Sequence, residues 1–306
     1  MDLKKQLSKK QVNSHSILTI GVFDGVHLGH LHLIKRLKEI ATQKKYLSGI
    51  ITFTNHPAEI LNTKFKPSFI MTSDQKISAL EKTGVDFVIP ITFNKEISTM
   101  SASSFIEDLK NTLNMKGIVV GPDFAMGKNR EATTIKLQDL GIEKDFITEV
   151  ISPQSLDGIE LRSTSVRKFL QEGNIETTAK ILGRNFSVSG LVTHGERRGR
   201  ELGYPTANLK PPTNSLIPKN GIYATFTYVN EQKFLSATSI GTNPTFKGNN
   251  KTIETYILNF DKDIYNQTIT IEFIERLRDE MKFESVKNLV SQMDSDIIAI
   301  KEILNT

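Results

Sequence analysis

Hydrophobic positions in the first half of the chain alternate between short apolar runs and helical spacing. The runs SILTIGVF, residues 16–23, and LSGIITFT, residues 47–54, flank a segment from Leu33 onward in which apolar residues recur every three or four positions. Strand, helix and strand in this order predict a βαβ unit, whose parallel strands bind ligands at their carboxyl ends. Further apolar runs at residues 87–93 and 117–121 extend the pattern. The first half is therefore predicted to be an α/β domain with a Rossmann-like parallel sheet.

After Gly183 the pattern changes to alternation of apolar and polar residues without intervening helices. Turn residues separate such runs at residues 186–192, 222–229, 234–240, 252–260 and 268–274. A series of short strands of this kind predicts an antiparallel β-barrel. Apolar residues at helical spacing from Val286 to Ile300 predict one terminal helix. From the change of period we predict two domains, residues 1–182 and residues 183–306.

The composition is that of an ordinary globular protein, and 306 residues are enough for two domains. The chain has no cysteine, which excludes disulfides, thiolate metal sites and a cysteine nucleophile. No apolar run approaches the roughly 18 residues that a spanning helix needs, and the lysine-rich start lacks the apolar core of a secretory signal. We therefore expect a cytoplasmic protein without a membrane partner. The net charge of +5 suits anionic small substrates or a solvated surface and does not predict a nucleic-acid partner.

A loop rich in glycine and histidine lies between the first predicted strand and the first helix. It reads GVFDGVHLGH from residue 21 to residue 30 and contains Gly21, Gly25 and Gly29. Glycines let the backbone approach a ligand closely, and the start of the following helix offers unpaired amides to an anion. Both imidazoles of His27 and His30 can donate to one phosphate, and Asp24 could orient one of them. Residue types alone leave open a metal triad of these three residues or a purely structural turn.

A second glycine-rich loop, followed by Pro-Thr-Ala-Asn, lies in the second half. It reads HGERRGRELGYPTAN from residue 194 to residue 208 and contains Gly195, Gly199, Gly203, Arg197, Arg198 and Arg200. Such a loop can cradle phosphates, but basic glycine-rich loops also occur on solvated surfaces. If the segment is extended, Thr206 and Asn208 point to the same face, where their oxygens could hold Mg²⁺ together with phosphate oxygens.

The segment Phe23 to His30 resembles the H-x-G-H signature of the nucleotidyltransferase superfamily, whose histidines stabilise the triphosphate in the transition state. LRSTSVR, residues 161–167, is similar to the second phosphate signature of that superfamily, usually I-S-S-T-x-I-R. Ser163 is predicted to cap a helix that ends at Gly173. TFTNHP, residues 52–57, and GPDFAMG, residues 121–127, resemble segments of prokaryotic FAD synthetases.

These resemblances imply a set of roles in the first domain. They imply catalysis by His27, His30 and Arg167, and phosphate binding by Gly21, Phe23, Asp24, Gly25, Gly29, Ser163 and Thr164. They also imply flavin contacts at His56, Asp123 and Phe124. Three positions depart from the usual pattern, because Met126 replaces an aromatic residue, Ala132 a glycine and Arg162 a serine.

The second loop resembles the G-R-x-L-G-[FY]-P-T-A-N signature of riboflavin kinases. Agreement continues at residues 221–223, 239–246, 253–256 and 277–283. The resemblance implies that Glu254 is the base that takes the proton of the riboflavin 5′-hydroxyl, and that Thr206 and Asn208 hold metal and phosphate. It further implies ATP contacts at Gly195, Arg200, Gly203 and Pro205, and flavin contacts at Arg278, Met281 and Phe283. Tyr256 stands where this family often has histidine.

Both sets of motifs, in this order over residues 17–294, resemble the bifunctional riboflavin kinase/FMN adenylyltransferase family. The resemblance implies that the barrel converts riboflavin and ATP to FMN and ADP. It also implies that the α/β domain converts FMN and ATP to FAD and pyrophosphate, and that both reactions use Mg²⁺. The predicted partners are these small molecules, with a homo-oligomer left open. Two alternatives remain: one domain has lost its reaction, or the chain is a regulator whose barrel only senses flavin.

Overall fold

A computed structural model of the chain describes residues 2–62, 64, 67–195, 199, 202–245 and 248–304. The chain folds into two compact units, Met1–Ser163 and Thr164–Thr306. The first unit is an α/β structure and the second is built around a β-barrel.

The first unit contains a five-stranded parallel sheet in the order β3-β2-β1-β4-β7. The strands of this unit are β1 (Ser16–Gly21), β2 (Leu47–Phe53), β3 (Phe87–Ile91), β4 (Met115–Val120), β5 (Ala125–Met126), β6 (Ala132–Thr133), β7 (Ile147–Val150), β8 (Ser155–Leu156) and β9 (Ile159–Glu160). The central strands are buried on both faces, which is why they consist of almost continuous apolar runs. The predicted parallel sheet is confirmed. Strand β7, which carries few apolar residues, was not predicted.

Helices cover both faces of this sheet. They are α1 (Leu3–Leu7), α2 (Leu28–Lys44), α3 (Pro57–Leu61), α4 (Ser73–Glu81), α5 (Lys95–Thr99), α6 (Ala102–Leu113) and α7 (Thr134–Glu143), with a 3₁₀ turn at Lys128–Arg130. The apolar stripe of α2 packs into one of two hydrophobic clusters, and α6 packs into the other. The strand order reverses between β1 and β4, and such a reversal opens a crevice at the carboxyl ends of these two strands.

The second unit contains a closed antiparallel barrel in the order β10-β11-β14-β13-β12-β15. Its elements are the helices α8 (Ser163–Glu172), which begins at the unit boundary, and α9 (Ile175–Leu182), the strands β10 (Phe186–Thr193), β11 (Thr206–Lys210), β12 (Gly221–Val229), β13 (Gln232–Thr245), β14 (Gly248–Ile257) and β15 (Thr268–Arg278), and the helix α10 (Val286–Leu304). The predicted barrel and terminal helix are confirmed. The second motif forms strand β11, so Thr206 and Asn208 lie in an extended segment as the prediction assumed.

Helices α8 and α9 pack with the barrel, although they precede the change of hydrophobic period. Helix α9 packs against β10 and β15, and the carbonyl of Leu170 on α8 accepts a hydrogen bond from the Lys219 amide at 2.9 Å. Helix α8 ends before Gly173, which has φ = 80°, as predicted. Ser163 is the first helical residue, and its hydroxyl donates to the carbonyl of Asp24 instead of capping the helix.

The barrel interior contains a cluster of hydroxyl side chains among its apolar residues. Thr225, Thr227, Ser236, Thr238 and Thr255 are all fully buried. Thr225 lies 2.8 Å from both Ser236 and Thr238, Ser236 lies 2.8 Å from Thr227, and Thr238 donates to Thr255 at 3.0 Å. Every member therefore has a hydrogen-bond partner, which offsets the cost of burying a hydroxyl group.

Candidate active sites

A cleft of about 430 Å³ opens at the carboxyl ends of β1, β4 and β7 in the first unit. It lies at the crevice that the reversal of strand order creates. Eight of the predicted site residues line this cleft together: Gly21, Phe23, His27, Gly29, His30, Asp123, Phe124 and Ser163. The topology therefore gathers segments that are far apart in sequence.

The two histidines form a stacked pair at the start of α2. Their ring centroids lie 3.6 Å apart with an interplanar angle of 22°. His27 is the N-cap of α2, and its Nδ1 accepts a hydrogen bond from the His30 amide at 3.3 Å. This bond leaves the proton of a neutral His27 on Nε2. His27 is therefore held as a hydrogen-bond donor through Nε2.

The surroundings of His30 disfavour the charged form of its imidazole. Burial lowers the pKa of His30 well below its usual value, and the nearby His27 and Lys76 lower it further. Its Nδ1 atom is buried and has no hydrogen-bond partner among the described residues. A buried polar atom without a partner is costly, and an anionic ligand in the cleft would supply charge and hydrogen-bond acceptors close to it.

The loop before these histidines has a strained backbone. Phe23 and Val26, neither of them glycine, have φ values of 51° and 39°. Conformations of this kind cost of the order of 1–3 kcal/mol each and persist only where the surroundings impose them. The Asp24 carboxylate, on a residue only 3% exposed, accepts bonds from the amides of Ile70, at 3.0 Å, and Met71, at 3.4 Å. These bonds fix the strained loop to the segment that precedes α4.

Asp24 and Gly25 are not among the residues that line the cleft. A Cβ atom at Gly25 would meet the Ile70 side chain at 3.0 Å. Gly29 allows a different close approach, because a Cβ atom there would clash with the carbonyl oxygen of Leu161. Gly29 thus lets residues 161–163 pack against the start of α2, next to the histidines.

Lys76 on α4 is a charged residue in this region that the sequence did not identify. It is 4% exposed, and its Nζ donates to the Phe53 carbonyl at the end of β2 at 2.5 Å. Burial lowers its pKa to about 8, although the charge of Asp24 acts in the opposite direction. A lysine among polar residues of a short helix indicates a solvated side chain, so only the tertiary structure shows that it is buried.

Other residues predicted for this site lie outside the cleft lining. His56 is the N-cap of α3, where its Nδ1 accepts from the Ala58 amide at 3.1 Å. Thr164 and Arg167 follow Ser163 on α8, within the second unit. Across the described residues no group of three His, Asp or Glu side chains is arranged to hold a metal ion. The alternative of a metal triad at Asp24, His27 and His30 therefore finds no support in the geometry.

The barrel has a cavity of about 340 Å³ between its strands and α10. Five predicted site residues line it, namely Thr206, Glu254, Arg278, Met281 and Phe283. Tyr256, which stands where riboflavin kinases often have histidine, also lines it. The Thr206 hydroxyl donates to Glu254 Oε2 at 3.2 Å. Asn208 pairs with Glu254 in the register of β11 and β14. The fold thus gathers three oxygen-bearing side chains on two neighbouring strands.

The glycine-rich loop beside this cavity is partly described. A Cβ atom at Gly195 would overlap the side-chain amide of Asn208, so a larger residue at position 195 would require that amide to move. Gly203 has φ = 84°, a left-handed conformation that glycine adopts without strain. The predicted residue Arg200, with Arg197 and Arg198, lies outside the described residues.

The guanidinium of Arg278 is bound by Asp296 on α10. The Nε–Oδ1 distance is 2.9 Å and the Nη2–Oδ2 distance is 2.6 Å. Gln292 donates to the same carboxylate at 2.9 Å, and Tyr204 donates to Asp294, two residues before Asp296. The terminal helix is therefore tied to the barrel along the edge of the cavity. The sequence did not identify Asp296 as part of this region.

A second cavity in the barrel, of about 430 Å³, lies next to the cavity that Thr206 and Glu254 line. Pro205, Thr206, Phe260 and Tyr265 are among its lining residues. Thr206 lines both cavities.

Comparison with known proteins assigns a family to each half of the chain. The FAD synthetase family matches residues 9–165, and the riboflavin kinase family matches residues 182–304. Fold and sites thus define a two-part class, in which a nucleotidyltransferase-like parallel sheet and a riboflavin kinase barrel share one polypeptide. The chain belongs to the bifunctional riboflavin kinase/FMN adenylyltransferase family.

Relatives of that name match nearly the whole chain. The Buchnera aphidicola (Schizaphis graminum) protein is 36% identical over 97% of this chain and 96% of its own. The Listeria monocytogenes protein is 34% identical, covering 92% of this chain and 90% of its own, and the Escherichia coli K12 protein is 32% identical, covering 94% and 92%. The family and the bifunctional enzyme class inferred from the motifs are thereby confirmed.

A solved structure shares the fold over the same length. It is a Streptococcus pneumoniae chain titled a macrolide-efflux protein, with a TM-score of 0.88, 29% identity and coverage of 96% of both chains. None of the described helices has the length and apolar character needed to cross a membrane.

Proposed function

We propose that this chain carries out both reactions named for its family, with riboflavin kinase activity in the barrel and FMN adenylyltransferase activity in the first unit. One observation carries the proposal: each of two separate cavities collects residues from one of the two sets of motifs. ATP is the co-substrate of both reactions. Because both consume ATP, we also propose that the enzyme works in the cytoplasm.

In the barrel, Glu254 acts as the general base on the riboflavin 5′-hydroxyl. Its carboxylate is on the cavity wall, where its Oε2 already accepts a hydrogen bond from a hydroxyl, that of Thr206, at 3.2 Å. Met281, Phe283 and Tyr256 give this cavity an apolar side that suits a flavin ring. ATP occupies the neighbouring cavity, so that its γ-phosphate meets the flavin hydroxyl near Thr206, which lines both.

The donor set around Thr206 suits Mg²⁺, which prefers hard oxygen ligands. Thr206 and Asn208 supply a hydroxyl and an amide oxygen, and the Glu254 carboxylate is close to both positions along the paired strands. When bound, the ion would neutralise charge on the phosphate oxygens. The protein's own side chains orient the riboflavin 5′-hydroxyl and receive its proton.

In the first unit, His27 and His30 bind the triphosphate of ATP. His27 presents Nε2–H as a donor, and the start of α2 adds free amides and a partial positive charge. An oxygen of the FMN phosphate attacks the α-phosphorus, the bond to the bridging oxygen breaks, and pyrophosphate leaves. Asp123 and Phe124, on the segment after β4, contact the flavin. Ser163, which lines the cleft, adds a phosphate contact.

A direct experiment tests both reactions. Purified protein is incubated with riboflavin and ATP, with Mg²⁺ or with excess EDTA, and flavins are separated by chromatography. The proposal expects FMN followed by FAD with Mg²⁺ and neither product with EDTA. Accumulation of FMN alone would show that the first unit has lost its reaction. Binding of riboflavin without any product would favour the flavin-sensing alternative.

A further inference from the structure

Arg162 is the residue at the adenylyltransferase cleft that departs most in charge from the usual signature, where a serine is common. It lines the cleft next to Ser163. Its Nη1 lies 3.2 Å from Asp123 Oδ2, and its Nε lies 3.1 Å from Glu160 Oε2. The guanidinium therefore spans from the segment before α8 to the segment after β4.

We propose that Arg162 binds the phosphate group of FMN and that this contact replaces its ion pair with Asp123. This inference rests on the proposed function of the first unit. It names a residue of this chain that selects the phosphorylated flavin over riboflavin, which lacks the anionic group.

The position of Arg162 favours the acceptor phosphate over the triphosphate. Asp123, its ion-pair partner, belongs with Phe124 to the part of the cleft assigned to the flavin. Ser163, the next residue, donates to the Asp24 carbonyl within the histidine loop at 2.8 Å. Arg162 thus lies between the flavin side and the histidine side, where the FMN phosphate must approach the α-phosphorus of ATP.

A cation at this place serves the reaction directly. The nucleophile and the electrophile are both anionic, and an arginine fork can bind phosphate oxygens in a fixed geometry while reducing their repulsion. The oxygen that attacks remains free, because the fork needs only the other oxygens of the phosphate.

The ion pairs of Arg162 are easily exchanged. The Arg162 side chain is 41% exposed, and those of Asp123 and Glu160 are 74% and 58% exposed. Exposed ion pairs contribute little to stability, so replacing Asp123 by a dianionic phosphate costs little. Glu160 retains the Nε contact and orients the guanidinium while the Nη atoms turn to the ligand.

The test compares Arg162→Ser and Arg162→Lys with a matched control, Arg36→Ser. Arg36 also pairs with two carboxylates, Glu39 and Glu149, in the first unit but does not line the cleft. FAD formation is measured with varied FMN at saturating ATP and with varied ATP at saturating FMN. Riboflavin phosphorylation is measured on the same preparations.

Arg162→Ser is expected to lower kcat/KM for FMN by about tenfold or more, the usual scale for a lost charge-assisted fork. Arg162→Lys should restore part of this loss, since lysine keeps the charge without the fork. Arg36→Ser should stay within about twofold of the wild type. KM for ATP and the kinase rate should be unchanged in all three variants.

Two results would overturn the inference while leaving the proposed function intact. The first is an Arg162→Ser variant that behaves like Arg36→Ser, and the second is a rise in KM for ATP while KM for FMN stays constant. Absence of FAD formation by the wild-type protein would instead refute the proposed function, and the inference would fail with it.

Discussion

Replacement of Glu254 by glutamine would test the charge of this side chain while keeping its position in the barrel. Glutamine has almost the same shape, and its amide oxygen can still accept the bond from Thr206. Strand pairing of residue 254 with Asn208 and Ser239 uses the backbone and is unaffected. The substitution therefore removes a base from the cavity without disturbing the wall around it.

The size of the effect follows from the chemistry of the step. A general base contributes about 10²- to 10⁴-fold, and the loose transition state of phosphoryl transfer favours the lower end of that range. We expect kcat for riboflavin phosphorylation to fall about 10²-fold, a loss of about 2.7 kcal/mol of transition-state stabilisation. KM for riboflavin should change little, because the lining of the cavity is retained.

The assay follows FMN by chromatography with riboflavin, ATP and Mg²⁺, and FAD in a parallel reaction supplied with FMN. FAD formation should stay near the wild-type rate, because the histidine loop lies in the other unit. Glu272→Gln is the matched control, since Glu272 on β15 accepts bonds from Asn185 and Tyr228 away from both barrel cavities. A wild-type kinase rate in Glu254→Gln would remove this carboxylate from the mechanism.

Three further predictions concern the histidine pair, the unit boundary and Lys76. Combined His27→Ala and His30→Ala should slow FAD formation from FMN by about 10²-fold or more per donor and leave kinase activity intact, and normal FAD formation would refute the role of this loop. A fragment of residues 183–306 is expected to fold, phosphorylate riboflavin and make no FAD. If only a fragment of residues 164–306 does so, α8 and α9, which precede the change of hydrophobic period, are needed to complete the barrel unit. The pKa of Lys76 falls from 10.5 to about 8 on folding. Between pH 8 and pH 10.5 the unfolded chain therefore binds more protons than the folded chain. In this range Lys76 makes the free energy of unfolding rise by about 1.4 kcal/mol per pH unit. Urea unfolding at pH 7 to 10 should show this rise in the wild type and its absence in Lys76→Met, and equal slopes would contradict the burial of a charged lysine.

The sequence predicted the elements whose burial pattern is simple. Strands β1 and β2 are buried on both faces, and the barrel strands alternate, so their hydrophobic periods indicate them directly. Their ends differ from the prediction by a few residues, because hydrogen bonding and not hydrophobicity ends a strand. Helix α8 was predicted to start after Ser163, but the hydroxyl of that residue bonds to Asp24, 139 residues away.

The predicted site residues fall into two groups in the structure. Motif residues such as His27 and Glu254 line the cavities, whereas Asp24 and His56 make hydrogen bonds that support the backbone and do not line them. A sequence motif does not show whether a residue lines a cavity or supports the backbone, because both roles use the same polar side-chain atoms. The buried Lys76 donates to the carbonyl of Phe53, 23 residues earlier in the chain, and no local sequence pattern predicts such a contact.

The hydroxyl cluster inside the barrel has an evolutionary consequence. A hydroxyl group is both donor and acceptor, so Thr225, Thr227, Ser236, Thr238 and Thr255 satisfy one another as a set. Exchange of a single threonine for the isosteric valine leaves every remaining hydroxyl with a partner, because Thr225 and Ser236 also donate to each other's carbonyl oxygens at 3.0 Å and Thr255 donates to the Ala237 carbonyl. Descendants of this barrel can therefore lose the cluster one hydroxyl at a time. Residues at these five positions should consequently change independently of one another among related barrels.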